Sequence, residues 1–379
     1  MTVRVVLAGG GTSGHVLPAL AVAESLREFG VPNENILYVG ARRGVENKLV
    51  PEAGVRLETF DVSGLQRSLS PRSLVRNIAF LPRLALARRG ARRLLREFEA
   101  DVVVSVGGYA SLPAVLAARA QKVPVVVITY DRRPGRSSEM TARWASATAA
   151  AFPDTRLPRA RHTGAPVRRA VREVDRLTQR DAARARLGVG IDEFFVVVVG
   201  GSLGSGVLND AAVACMRESR NDPGLHLRLV AGERYVDEAR AAVASVIDSS
   251  SGVVCDVVGY EPDMASVYAA ADLLVARGGA GTVAEVAVTG VPAVLVPWSG
   301  AADDHQTENV RWLSDRDAAV MLRDETVVAQ LTTTIAALRA DSLRRLDLGR
   351  RAHQLGELNR RNEVARLVLE VADGSGGKS

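Results

Sequence analysis

Two kinds of residue in this 379-residue chain could do chemistry: a histidine placed to move a proton, and glycine loops placed to hold an anion. The first loop reads Gly9-Gly10-Gly11-Thr12-Ser13-Gly14-His15 and follows an apolar run at residues 3–8. Glycine lets backbone approach an anion closely, and the free N–H groups and dipole of a starting helix favour negative charge. His15 is the side chain there that titrates near neutral pH, so a proton acceptor stands beside a site shaped for phosphate. Three further elbows follow: Val106-Gly107-Gly108-Tyr109-Ala110-Ser111, Gly200-Gly201-Ser202-Leu203-Gly204-Ser205-Gly206 and Arg277-Gly278-Gly279-Ala280-Gly281-Thr282-Val283-Ala284-Glu285. The elbow at Gly107 and Gly108 could shape an acceptor pocket beside His15. The last opens a helix on which a diphosphate could sit, and Glu285, one turn inside, could accept hydrogen bonds from a ribose or simply offset helix N-terminal charge. Gln306, in the polar loop Asp303-Asp304-His305-Gln306-Thr307-Glu308-Asn309, could bind sugar hydroxyls or merely be solvated. Any elbow could be the tight turn of a doubly wound sheet, but four across two halves exceed what packing demands.

Such loops need strands to carry them. Short apolar runs recur at residues 3–8, 36–39, 102–106, 123–128, 194–199, 226–230, 253–258, 273–276 and 293–296. Helical patterns separate them at 18–29, 112–121, 208–217, 237–246, 264–271 and 282–288. Continuous apolar runs suit parallel strands covered on both faces, and the alternation predicts an α/β fold of doubly wound parallel sheets. Residues 194–206 repeat the design of the opening segment, so each half reads as its own nucleotide-fold domain. The length of the chain favours two domains as well. Residues 163–168 and the charged helix that follows, up to Gly188, read as the crossing between them. Residues 351–371 read as a helix and 374–379 as a disordered Gly/Ser tail.

Composition excludes several classes. A hydrophobic share of 47% and a charged share of 24% describe an ordered globular protein rather than a disordered one. Cys215 and Cys255 lack ligand-like spacing, which suits a reducing cytoplasm and argues against structural zinc. No leader and no apolar run of roughly 18 residues is present, so neither export nor a spanning helix is expected. The net charge of +6 is clustered: Arg67, Arg72, Arg76, Arg83, Arg88, Arg89, Arg92, Arg93 and Arg96 have no acid among them. Leu74, Val75, Ile78, Phe80, Leu81, Leu84 and Leu86 are interleaved, a mixture that could lie on an anionic membrane surface or form a solvated helix. Nothing points to nucleic acid.

Gly9, Gly11 and Gly14 satisfy the dinucleotide pattern, so an NADP-binding oxidoreductase is weighed. The second strand ends Val39-Gly40-Ala41-Arg42-Arg43, with no acid for a ribose diol. Taken together, the motifs resemble the MurG family, the UDP-N-acetylglucosamine-dependent transferases of peptidoglycan synthesis. The resemblance rests on residues 10–20, Gly107-Gly108-Tyr109, Gly164-Ala165-Pro166-Val167-Arg168, residues 200–204, Asp263-Met264 and residues 279–285, and covers most of the chain.

That resemblance implies a GT-B fold, two Rossmann-like domains facing a cleft. The expected divisions are an acceptor and membrane-associating domain at 1–166, a donor domain at 167–351, a helix at about 352–371 that packs back on the first, and a flexible tail at 372–379. It implies inverting transfer of N-acetylglucosamine from UDP-N-acetylglucosamine to a lipid-linked muramyl-pentapeptide, without cofactor or metal, at the cytoplasmic face of the membrane, with cell-wall synthesis proteins as further partners. Donor contacts would fall on Thr12, Ser13, Gly14, Asp131, Arg168, Ser202, Ala280, Gly281, Thr282, Val283, Ala284, Glu285 and Gln306. Gly107, Gly108 and Tyr109 would line the acceptor side, and His15 would be the catalytic base.

The Asp315-Arg316-Asp317 string lies away from every elbow and reads as chance. The chain departs from the family at Ile128-Thr129-Tyr130-Asp131, where His-Glu-Gln-Asn is usual. Two alternatives stay open on that ground: a related glycosyltransferase with a different acceptor, such as a secondary metabolite or another lipid, and a noncatalytic UDP-sugar-binding protein at the membrane.

Overall fold

The structure is a computed structural model that describes residues 3–62, 80–201, 203–301 and 304–376. The chain divides into two compact units, Met1–Arg169 with Arg361–Ser379, and Ala170–Arg360.

The first unit is a parallel sheet of seven strands: β1 (Val5–Ala8), β2 (Ile36–Ala41), β3 (Arg56–Phe60), β4 (Val102–Ser105), β5 (Val125–Thr129), β6 (Ala147–Ala150) and β7 (Ala160–His162). Their order is β3-β2-β1-β4-β5-β6-β7. All four β1 residues are buried because both faces of the sheet are covered, which is why the strand reads as an unbroken apolar run. One face packs under the helix Ser13–Glu28, through Val16, Ala19, Leu20, Val22, Ala23 and Leu26. The same core receives Val364, Ala365, Leu367, Val368 and Ala372 from the chain's last helix, Glu363–Gly376. On the opposite face lie Ala91, Leu95 and Phe98, with Ala114, Val115, Ala117 and Ala118 of the helix Leu112–Gln121.

The second unit repeats the scheme with six parallel strands: β8 (Phe194–Val199), β9 (Leu225–Val230), β10 (Val254–Val258), β11 (Leu273–Arg277), β12 (Ala293–Val296) and β13 (Val320–Met321), in the order β10-β9-β8-β11-β12-β13. The charged helix Arg176–Leu187 belongs to this unit. Arg180 donates to Ala270 O at 3.1 Å and to Asp272 at 2.6 Å, and Arg176 donates to Ala271 O at 2.7 Å. Its guanidinium groups thereby satisfy carbonyls at the end of the helix Met264–Ala270.

Several elements differ from the sequence expectation. The first helix begins at Ser13 and carries Pro18 inside it, instead of starting at 18. In place of one helix over 352–371 there are three, Ser342–Leu355, Glu357–Arg360 and Glu363–Gly376. The first ends at Gly356, where the backbone of Ala287 leaves no room for a Cβ, and Asn362 turns the chain at φ 57. The last helix runs to Gly376, past the start expected for a loose tail. Strands β3, β6, β7 and β13 have no counterpart among the apolar runs.

Candidate active site

Each sheet reverses its winding once, and both reversals carry glycine loops. In the first unit β1 lies between β2 and β4, so the chain leaves β1 toward one side and later returns to its other side. Crevices at such switch points, beyond the carboxyl ends of the strands, are where open α/β sheets bind ligands. The loops after β1 and β4 meet there: a Cβ on Gly9 would overlap Val106, and one on Gly108 would lie 3.0 Å from Gly10 O. Gly107 and Gly108 take φ values of 93° and 74°, which side chains rarely adopt.

His15 is half-buried on the first helical turn. Its Nδ1 lies 3.0 Å from Thr12 Oγ1, and its Nε2 edge faces the bare backbone of Gly107, where a Cβ would come within 3.5 Å. Tyr130, following β5, meets the ring edge-on at 6.1 Å and donates to Val106 O. Burial lowers the His15 pKa below its ordinary 6.5, against the opposing charges of Asp131 and Glu46. The imidazole is therefore neutral at pH 7 and able to take a proton. Thr12, Gly14, His15, Gly107, Gly108, Tyr109 and Asp131 thus all belong to the loops and helix start beyond β1, β4 and β5. The side chain of Ser13 lies outside the described residues.

Glu46 escaped the sequence reading. It is fully buried at the start of the helix Glu46–Glu52, with Oε1 accepting from Ala41 N at 2.9 Å and Oε2 from Gly11 N at 3.0 Å. The sole signal for it is a run of glycines, Gly10, Gly40 and Gly44, where a Cβ would crowd its carboxylate.

In the second unit the reversal falls between β8 and β11. Gly200 and Gly204 fold the first loop tightly, with Gly204 at φ 73 against Ala231 O. Ser205 then caps its own helix, Gly206–Glu218, by accepting from Leu208 N at 3.3 Å. Arg277, part of the fourth elbow in the sequence, is buried and acts as a brace. It donates to Ser205 Oγ at 2.6 Å and pairs with Asp324 at 2.6 Å, while Asp324 accepts from Ser299 N and Oγ. Burial opposes the charge of Asp324, yet Arg277 and Ser299 together hold its carboxyl below the usual range.

By contrast, the helix Ala280–Thr289 starts after Gly279 with no side-chain cap and no acid in its first turn. Its leading N–H groups at Ala280, Gly281 and Thr282 are the kind that bind phosphate. Val283 and Ala284 are buried against the unit's interior, and Glu285 accepts from Tyr268 Oη at 2.6 Å. Gln306, on the helix His305–Ser314, accepts from Trp298 N at 3.0 Å. That helix crosses Gly278 so closely that a Cβ there would overlap Val310. Arg168 falls in the first unit, one residue before its boundary, and Ser202 lies outside the described residues.

Residues 5–150 match the N-terminal domain of glycosyltransferase family 28, and residues 195–365 match its C-terminal domain. The chain belongs to glycosyltransferase family 28. Among its relatives, a UDP-N-acetylglucosamine--N-acetylmuramyl-(pentapeptide) pyrophosphoryl-undecaprenol N-acetylglucosamine transferase of Paenarthrobacter aurescens is 40% identical over 373 residues, 97% of this chain and 96% of that one. The crystal structure of Acinetobacter baumannii MurG superposes with a TM-score of 0.72 at 26% identity, covering 97% of this chain and 99% of that one. The calicheamicin glycosyltransferase CalG4 has the same fold at a TM-score of 0.67 and 17% identity, covering 100% of both chains. Two Rossmann-like parallel sheets in one family 28 chain make the GT-B fold expected from the sequence.

Proposed function

We propose that this family 28 enzyme transfers N-acetylglucosamine from UDP-N-acetylglucosamine to a lipid-linked muramyl-pentapeptide, with inversion at the anomeric carbon. The observation that carries this reading is the 40% identity to the Paenarthrobacter transferase over 97% of this chain and 96% of that one. The first unit takes the acceptor and the second the donor. His15, with Nδ1–H donated to Thr12, presents Nε2 to the acceptor hydroxyl. As that oxygen bonds the anomeric carbon, the bond to UDP breaks and the proton passes to Nε2. The diphosphate rests on the uncapped N–H groups of the helix Ala280–Thr289, with Arg168 and Ser202 as further contacts, and these fixed donors meet the charge of the leaving group. Glu285 accepts ribose hydroxyls, Gln306 those of the sugar, and Thr12, Ser13, Gly14 and Asp131 complete the donor's surroundings. No metal enters the scheme.

Among the described residues no helix is long and apolar enough to cross a membrane. The helix Phe80–Glu97 buries Ala87, Ala91 and Leu95 and exposes Arg83, Arg88, Arg89, Arg92, Arg93 and Arg96. This charged face suits the anionic surface where a lipid-linked acceptor resides, at the cytoplasmic face of the cell membrane. Arg67, Arg72 and Arg76 lie outside the described residues.

Incubation with UDP-N-acetylglucosamine and the lipid-linked muramyl-pentapeptide, followed by UDP release and product mass, tests the proposal. UDP with a product one N-acetylhexosamine heavier is expected. The departure at Ile128, Thr129, Tyr130 and Asp131 favours one competitor, a family 28 transferase for another acceptor. Donor binding with no turnover on this acceptor would move the reading there.

A further inference from the structure

Glu46 is a buried acid that the transfer scheme leaves unused, and its surroundings are built for a carboxylate. A charge taken from water into a protein interior must be compensated by hydrogen bonds or an opposite charge. Here two backbone N–H groups supply that compensation, from Ala41 at the end of β2 and from Gly11 in the loop after β1. Three glycines make the room, because a Cβ at Gly10 or Gly44 would overlap the carboxylate, and one at Gly40 would lie 2.8 Å from Cγ. We propose that Glu46 is a positioning residue, an internal anion that occupies a loop N–H otherwise open to phosphate and so fixes the segment presenting Thr12 and His15. From Gly11 the connection is short: Thr12 is the next residue, and its hydroxyl meets His15 Nδ1 at 3.0 Å. The glycine-rich loop of the first unit is therefore a mount for an imidazole, with its Gly11 N–H already spent.

This inference rests on reading His15 as the base, and its test separates the two. The groups that face the ring are Asp131, Glu46, the Thr12 hydroxyl, the edge of Tyr130 and the backbone of Gly107 and Gly108. Glu46→Gln keeps the shape, removes the charge and leaves one acceptor oxygen for two N–H groups. Gly44→Ala keeps the charge but puts a Cβ against Oε2, the oxygen that holds Gly11 N. Full-length wild type, both variants and His15→Ala are compared by turnover with UDP-N-acetylglucosamine and the lipid-linked acceptor, and by NMR titration of His15 without substrate.

In both Glu46→Gln and Gly44→Ala, kcat is expected to fall about 10- to 100-fold, as displacement of a reacting group requires. The His15 titration is expected to move to lower pH in Glu46→Gln and to stay in place in Gly44→Ala. Wild-type kcat in either variant, or an unmoved titration in Glu46→Gln, overturns the proposal. Should Glu46→Gln fail to fold, kcat in Gly44→Ala decides alone. Wild-type turnover by His15→Ala instead defeats the base assignment, while the titration in Glu46→Gln still reports whether Glu46 governs the ring.

Discussion

In the proposed scheme His15 is the base, and burial is what keeps its ring unprotonated. Its lowered pKa means that the ring becomes half-protonated only at a pH below 6.5. The acid limb of kcat/KM is therefore expected below pH 6.5 and should vanish in His15→Ala, whose residual rate should be lower by roughly 10²- to 10⁴-fold at pH 7.5. Pre-steady-state turnover across pH 5–9 measures both, and donor affinity should hold nearly constant. Stability has the same sign. Between the folded value and 6.5 the unfolded chain binds more protons at this site, so wild type loses stability as pH drops through that window and His15→Ala does not. His15 was legible from one sequence because a glycine loop surrounds it. Glu46 was not, because 35 positions separate it from the Gly11 N–H it accepts and only folding of β2 against β1 brings them together.

At the scale of elements, strands signalled themselves where both faces are covered. β1, β4, β5, β8, β11 and β12 consist mostly of Val, Leu, Ile, Ala and Phe, and every residue in them but Val199 is buried. β3 and β7 form the two opposite edges of their sheet; β3 is only partly covered, and β7, with Ala160, Arg161 and His162 all exposed, carries no apolar signature. β6 is three alanines and a threonine, too small in side chain to read as a strand. The brace between elements was equally silent. Arg277 was read with the phosphate elbow, yet in the fold it joins the end of β11 to Ser205 and Asp324, with side chains of the pair only 10% and 9% exposed. Breaking a buried pair leaves a charge uncompensated, so Asp324→Ala should destabilise the second unit by about 3–5 kcal/mol. Urea unfolding followed by Trp298 and Trp312 fluorescence checks this, and a midpoint equal to wild type would count against the brace.

For the molecule as a whole, division into two units makes ligand effects separable. UDP binds the second unit in the proposed scheme, and a ligand at 100 times its dissociation constant stabilises the folded state by about 2.7 kcal/mol. Differential scanning calorimetry should show UDP raising the transition that Asp324→Ala lowers. Surface charge is the other property at this scale. Replacing Arg88, Arg89 and Arg92 with glutamine should weaken binding to phosphatidylglycerol vesicles by roughly fivefold per arginine and leave neutral vesicles unaffected, as sedimentation would show.

The last helix adds a constraint in time. Val364, Ala365, Leu367, Val368 and Ala372 complete the core that β1 and the helix Ser13–Glu28 begin, so the first unit contains a piece made after the whole of the second. At about 5–20 residues per second, synthesis of the intervening unit keeps the first waiting roughly 10–40 s with apolar surface uncovered. During this interval the first unit of the nascent chain is unfinished, and the second unit, whose segments are contiguous, is the first able to close.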